Sequence, residues 1–361
     1  MIRAAFAPLA ALALGALSLG ACAPGEQAGN AGEGYVDYPP LGERDFAEIT
    51  PTLFVTNKRG NSLSVIDLES GEETSRVPTC ANPHELALSP KGNMLAVACY
   101  GGTSVDVFAT DSLERLASVD LGTNARPHGI VWAESGVIYA TAEGRQSIFR
   151  ITSGEDGKPE LTEFPTGQRG SHMLAVAPDG SAAWTTDLGS RTVTRIDLSG
   201  GAAPVSVTVG EEPEGISLAP DHNALWVSAR GSNQAFELDP TTMEVRKTVD
   251  TGRFPLRLLV RPQDDVAITS DLADGGLTVI DLASGEVVRS IAVSSPEEAE
   301  ERFQVTILWS DDGSRIYVAE TASDTIAEVD YASGEVLRRL PTGDGGDGMA
   351  IFDPVEDFFG N

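Results

Sequence analysis

Leu53-Phe54-Val55-Thr56-Asn57, then Leu63-Ser64-Val65-Ile66-Asp67-Leu68, then Ser70-Gly71-Glu72 is the phrase on which the fold turns. It returns near the other end of the chain as Ile316-Tyr317-Val318-Ala319-Glu320, Thr325-Ile326-Ala327-Glu328-Val329-Asp330 and Ser333-Gly334-Glu335. Between the two it recurs around Leu95-Ala96-Val97, Ile138-Tyr139-Ala140, Ala183-Trp184-Thr185, Leu225-Trp226-Val227 and Val266-Ala267-Ile268, which makes seven copies. Each copy holds three short alternating segments, a turn and a fourth apolar segment leading into the next. Such a unit cannot bury its apolar face alone and must stack on its neighbours.

The fourth segment fixes the register. Its copies begin at His84, His128, His172, Glu214, Leu256, Gln304 and Asp347, spaced 44, 44, 42, 42, 48 and 43 residues apart. Large side chains alternate with small ones, as in Leu86-Ala87-Leu88 and Leu174-Ala175-Val176, which suits an innermost strand in a crowded ring. A period near 43 with four strands per copy predicts an all-β, seven-bladed β-propeller of four-stranded blades. The first copy lacks an inner strand, whereas the last ends with a spare one, Gly348-Met349-Ala350-Ile351-Phe352. The C-terminal strand is therefore expected to complete the first blade and remove the free edges of the ring.

Phe54-Val55-Thr56-Asn57, Val65-Ile66-Asp67-Leu68, Ser70-Gly71, Pro83-His84, Ser284-Gly285-Glu286-Val287 and Ser333-Gly334-Glu335-Val336 resemble the YVTN-type (YncE-like) β-propeller repeat, over about residues 50 to 353. The resemblance implies a fold more than a function. That family includes binding proteins, cofactor-carrying dehydrogenase subunits and lyase- and lactonase-like enzymes.

The N-terminus reads as a targeting segment. Arg3 precedes a run of small and apolar residues, Ala4 to Leu19, too short to span a bilayer convincingly. Leu19-Gly20-Ala21-Cys22 resembles a bacterial lipobox, which implies a signal peptide over 1–21 and acylation of Cys22. Ala23, a residue other than Asp, implies by the same resemblance the outer membrane. The expected location is thus the periplasm, with a membrane anchor through Cys22. Residues 22–46, rich in Ala, Gly, Glu and Pro, read as a flexible tether. The propeller is expected over 47–355 and a short tail over 356–361. With 54 acidic and 25 basic residues the chain carries a formal charge of −29, which excludes a nucleic-acid partner. A monomer is the expected state.

Three of the four histidines, His84, His128 and His172, fall at one equivalent position in consecutive blades, and Glu214 continues the arc. Inner strands lie close together at the axis, so these groups can converge on one point. Three imidazoles and a carboxylate make a first shell for Zn²⁺, Cu²⁺ or Fe²⁺. A metal-free pocket for a polar ligand and plain packing of the blade loops explain the same residues. Once Cys22 is acylated, Cys80 and Cys99 remain for a disulfide in an oxidising compartment. Thiolate ligation and free thiols are the alternatives. Lys58, Arg59, Tyr100, Arg145, Arg191 and Arg230 lie after second strands on the same rim. Of these, Arg59, Tyr100, Arg145 and Arg230 are candidates to bind a ligand's carboxylate or phosphate. Asp271, Asp274 and Glu320 would make the far side of the mouth acidic.

The aspartates that end the third strand, Asp67, Asp197, Asp239, Asp281 and Asp330, precede tight turns and read as turn-fixing acceptors. Ser294-Ser295-Pro296-Glu297 interrupts the period and reads as a helix start. No nucleophile elbow, P-loop, dinucleotide fingerprint or Cys-x-x-Cys-His haem site is present. The leading expectation is a binding scaffold that takes a small polar molecule or a protein at the channel mouth. The alternative is a metal-dependent lyase, lactonase or oxidase with Glu214 as fourth ligand or general base. An electron-transfer subunit is a weaker third.

Overall fold

The computed structural model describes residues 50–154 and 157–353. The lipobox with Cys22, most of the tether and the C-terminal tail lie outside the described residues. Seven four-stranded antiparallel sheets form the blades of a β-propeller, the chain running from the inner strand outward in blades 2 to 7. The inner strands are Pro83–Leu88, Pro127–Trp132, Ser171–Val176, Pro213–Leu218, Pro255–Val260 and Gln304–Trp309. Blade 1 takes its inner strand from the C-terminus. Gly346–Phe352 pairs with Thr52–Asn57, with Ala350 opposite Phe54, and closes the ring as expected.

The apolar alternation finds its partners between blades. One hydrophobic cluster fills each interface: Phe54, Leu86, Leu95 and Phe352 between blades 1 and 2, for example, and Ile130, Trp132 and Phe149 with Val105 and Val107 between blades 2 and 3. The outermost strands alternate half-buried with exposed residues, as in Glu73–Pro78. The turn aspartates do what their position suggests. Asp67 Oδ1 accepts from Ser70 N at 2.6 Å, and Asp281 and Asp330 hold Ser284 and Ser333 at 2.8 Å. The inserted segment forms the helix Pro296–Arg302, capped by Ser295 and Glu298 in a reciprocal box.

A β-bulge recurs at the head of every inner strand. In blade 2 Pro83 pairs with Cys99 but Leu86 pairs with Val97, so His84 and Glu85 together oppose Ala98. The same shift occurs in blades 3 to 7 and again where Gly346–Phe352 meets blade 1. A bulge turns side chains out of the regular pleat, and here it lets His84 and Glu85, neighbours in one strand, both join the polar groups of the channel.

The register also corrects one alignment. Gln304 pairs with Glu320, which makes it the counterpart of Pro83, not of His84. The residue of blade 7 at the histidine position is Val305. The Gln304 amide instead donates to Gly275 O at 3.3 Å and Ser294 Oγ at 3.2 Å, tying down the inserted segment.

Candidate functional site

The residue facing each bulge carries a hydroxyl in five blades: Thr56, Thr141, Thr186, Ser228 and Ser270. Each donates to a bulge carbonyl of the following blade: Thr56 to His84 O at 2.6 Å, Thr141 to His172 O at 2.7 Å, Thr186 to Glu214 O at 2.7 Å, Ser228 to Leu256 O at 3.2 Å and Ser270 to Val305 O at 2.7 Å. Four of them also accept an N–H from their own blade's bulge, as Thr141 does from Gly129 at 2.9 Å. These hydroxyls satisfy the backbone groups that the bulge frees from the ladder and link neighbouring blades. Where the next inner strand comes closest, the second bulge residue is glycine. A Cβ at Gly129 would sit 2.9 Å from His172 O, and one at Gly348 only 2.3 Å from His84 O.

Three imidazoles stand side by side on this frame. The rings of His84 and His128 are 4.2 Å apart at their centroids and tilted by 37°, and those of His128 and His172 are 3.7 Å apart and tilted by 33°. Tyr100 meets the first two edge-on at 5.1 and 5.4 Å. At one end of the row, His84 Nδ1 lies 2.9 Å from Asp347 Oδ2, which also receives Lys58 Nζ at 3.1 Å. The His84 contact is short but not aligned as a hydrogen bond. At the other end His172 Nδ1 contacts Glu143 Oε1 at 3.3 Å, and its Nε2 lies 3.6 Å from Glu214 Oε1, beyond hydrogen-bond length.

Glu214 is held more tightly by two guanidinium groups: Arg257 Nη1 donates to Oε1 at 2.7 Å, and Arg230 donates to Oε2. Arg257 then reaches across the channel. Its Nη2 donates to Glu85 Oε1 at 2.6 Å, although Arg257 stands on blade 6 and Glu85 on blade 2, on opposite sides of the ring. Both side chains are less than a tenth exposed. The propeller bore is thus crossed by a buried Glu85–Arg257–Glu214 bridge beside the histidine row; the bridge, the row and their partners make up the polar cup of the channel mouth.

Charge in the cup follows from these contacts. Burial, with His172, His84 and Arg257 around it, pushes His128 well below the ordinary imidazole value, so it is neutral at neutral pH. Burial opposes protonation of His172 too, but Glu143 and Glu214 outweigh it and raise its pKa. Burial would raise the Glu214 carboxyl; His172, Arg257 and Arg230 instead hold it down at about 2. Asp347 is likewise driven far below the carboxylate range, Lys58 and His84 overcoming burial. Burial and Glu143 raise Tyr100, whose hydroxyl donates to Glu143 Oε2 at 2.6 Å and accepts from Arg126. A carboxylate in the state of Glu214, with both oxygens on guanidinium groups, is a poor proton acceptor.

Of the residues singled out in the sequence, His84, His128, His172, Glu214, Tyr100 and Arg230 come together here. Arg59 and Arg145 do not: Arg59 pairs with Asp344 and Asp324 at 2.6 and 2.9 Å, and Arg145 with Glu163 at 2.7 Å, all away from the histidine row. Arg191 is spent on Glu211 in an exposed pair. Nor is the far rim openly acidic. Asp271 is buried under the Thr269 and Thr278 hydroxyls, and Glu320 under Arg302, Arg339 and Thr325. Cys80 and Cys99 form a disulfide, with Cα atoms 5.6 Å apart, which ties the loop before His84 to the strand end before Tyr100.

Sequence reasoning missed Arg257, Glu85 and Glu143. The first two share a column, the second bulge residue, that reads Glu85, Gly129, Met173, Gly215, Arg257, Thr306 and Gly348. Opposite charges amid small residues were the available signal.

No protein-family profile matches the chain, and no curated protein resembles it significantly. Solved structures do resemble it. A functionally unknown protein from Desulfotomaculum acetoxidans superposes with a TM-score of 0.69 at 14% identity, covering 84% of this chain and 99% of that one. Hydrazine synthase from Kuenenia stuttgartiensis gives 0.67 at 17% identity, covering 78% and 92%. Virginiamycin B lyase from Staphylococcus aureus gives 0.63 at 14% identity, covering 81% and 89%. At such identities the likeness establishes the architecture alone: the chain is a seven-bladed β-propeller.

Proposed function

We propose that the chain is a lipid-anchored extracytoplasmic propeller that works as a binding scaffold, its channel mouth taking a small polar ligand or a polar group of a protein partner. The observation that carries this reading is the Glu85–Arg257–Glu214 bridge. It crosses the bore and gives the cup fixed polar groups. Such a cup, with a few convergent polar groups on a rigid wall, is how ligand sites are commonly built. The YVTN-type repeat phrases and the lipobox-like Leu19-Gly20-Ala21-Cys22 support the extracytoplasmic placement. The lyase among the structural neighbours does not bring its reaction here. Glu214, the residue best placed to be a base, has both oxygens occupied.

The test is native mass spectrometry of the full chain, released from membranes in detergent, beside a Tyr100→Ala/His172→Ala variant. Both would be followed by extraction and small-molecule mass spectrometry. A polar organic species present at about one equivalent in the native chain and absent from the variant is expected. Identical organic extracts from the two would overturn the cup as a site for an organic ligand.

A further inference from the structure

We infer that the cup holds a single divalent transition ion, zinc or copper, on His84, His128 and Glu85. The inference rests on the cup reading above and names its ligand. One ligand atom from each of these three side chains lies within 4.8 Å of the other two. In a tetrahedral zinc site with bonds of 2.0–2.2 Å the ligands are roughly 3.4 Å apart. The three groups therefore need to close by little more than about 1 Å, a modest swing of side-chain torsions, and the backbone bulge stays in place.

Two further observations separate this trio from its neighbours. First, His128 is 1% exposed and its Nδ1 is buried without a hydrogen-bond partner among the described residues. A buried polar atom left unpaired costs roughly 1–3 kcal/mol, and a bound cation relieves that penalty. Second, the remaining groups have other work. His172 has Glu143 at one nitrogen and Glu214 beside the other, and Glu214 has an arginine on each oxygen. Glu85 gives only Oε1 to Arg257, leaving Oε2 for an ion.

Asp347 has the place of an outer partner. A small turn of the His84 ring would align its Nδ1–H on Asp347, 2.9 Å away, and leave Nε2 for the ion, a carboxylate–histidine arrangement common behind metal ligands. Two nitrogens and one oxygen suit zinc or copper better than calcium or magnesium, and three protein ligands leave a coordination position open to the cup. Lys58 and Arg257 oppose a dication and Glu85 and Asp347 attract it, so the site is of moderate affinity and exchangeable.

The full chain, purified in detergent without a histidine tag, would be loaded with Cu²⁺ and read by electron paramagnetic resonance, and with Zn²⁺ by chelator competition. One equivalent with hyperfine coupling to two imidazole nitrogens is expected. His84→Asn/His128→Asn should weaken zinc by at least about 100-fold, and Glu85→Gln, which keeps the side-chain volume, by about 10-fold or more. Arg145→Ala, outside the cup, should leave binding unchanged. Near-ultraviolet circular dichroism of each variant checks that the fold is intact. No bound metal, three coupled nitrogens, or full affinity in the folded double variant would overturn the inference. If metal is absent while the native chain still carries a polar organic species that the Tyr100→Ala/His172→Ala variant loses, the cup stands and only the ion falls. If neither is found, both fall.

Discussion

Replacing Arg257 with methionine keeps much of the side-chain volume and removes one charge from the axis. The consequences are unequal for its two partners. Glu214 keeps Arg230, whereas Glu85 has no other cation partner among the described residues. The variant thus strands one carboxylate in a buried position. Breaking a buried pair from one side costs about 3–5 kcal/mol. Because the chain is large, roughly 2 °C of melting temperature is lost per kcal/mol, so a fall of about 6–10 °C is expected. Restoring neutrality by adding Glu85→Gln should recover most of this and leave the double variant within about 1.5 kcal/mol of the native protein. Urea unfolding at pH 7, followed by tryptophan fluorescence, measures both. A single variant within 1 kcal/mol of native, or a double variant whose losses simply add, would refute the claim that the bridge crosses the bore as a coupled buried unit.

Three other outcomes follow from particular groups. Burial lifts the Asp271 carboxyl to about 7, well above its unfolded value of 3.8. The stability of its neutral form is complete below about pH 4 and lost as pH rises through 7. Asp271→Asn should therefore stabilise the protein relative to native at pH 8 and lose that advantage at pH 5; equal effects at both pH values in urea titrations would contradict this. Reducing the Cys80–Cys99 disulfide, which joins cysteines 19 positions apart, should cost about 3 kcal/mol, read as the shift in urea midpoint with and without reductant. No shift would mean that the link adds nothing to the loop that presents His84. Cys22→Ser should abolish incorporation of labelled palmitate and move the protein from the membrane to the soluble fraction; continued membrane association would remove the lipid anchor from the proposal.

The architecture was legible because it repeats: seven apolar inner strands and their turn aspartates announce themselves in one dimension. The histidine row was legible for the same reason, since His84, His128 and His172 share a column. The reading slipped where the repeat does. Between Val293 and Phe303 the chain inserts a capped helix, and counting past it put Gln304 one place too far toward the ring. Arg257 and Glu85 stayed hidden for a different reason. In a regular strand successive side chains point to opposite faces, so their column should have faced away from the histidines. The bulge overrules that alternation and lets Glu85 and Arg257 reach the channel beside the histidines. Rim arginines such as Arg145 were overvalued because sequence does not reveal that an outer-strand carboxylate, Glu163, is already waiting for them.

The overall charge of −29 says little about what the cup recognises. Within it the carboxylates Glu85, Glu143, Glu214 and Asp347 face Lys58, Arg126, Arg230 and Arg257, four permanent cations, with the titratable His172 drawn toward its charged form beside them. Fixed charges so matched exert little net field on a ligand approaching from solvent, and long-range steering by the acidic exterior is screened within about 10 Å at ordinary salt. Selectivity must then come from short-range donors and acceptors that the network leaves over. Among the described residues these include the unpaired Nδ1 of His128 and of His84, the Nε of Arg257, the second oxygen of Glu85 and the edges of the imidazole row. A large anion would have to displace ion pairs that cross the channel, and a bulky apolar group would bury them unpaired. A small ligand that accepts lone pairs meets neither obstacle. It also uses a feature that the surrounding salt bridges do not explain, a buried, neutral histidine held between two others.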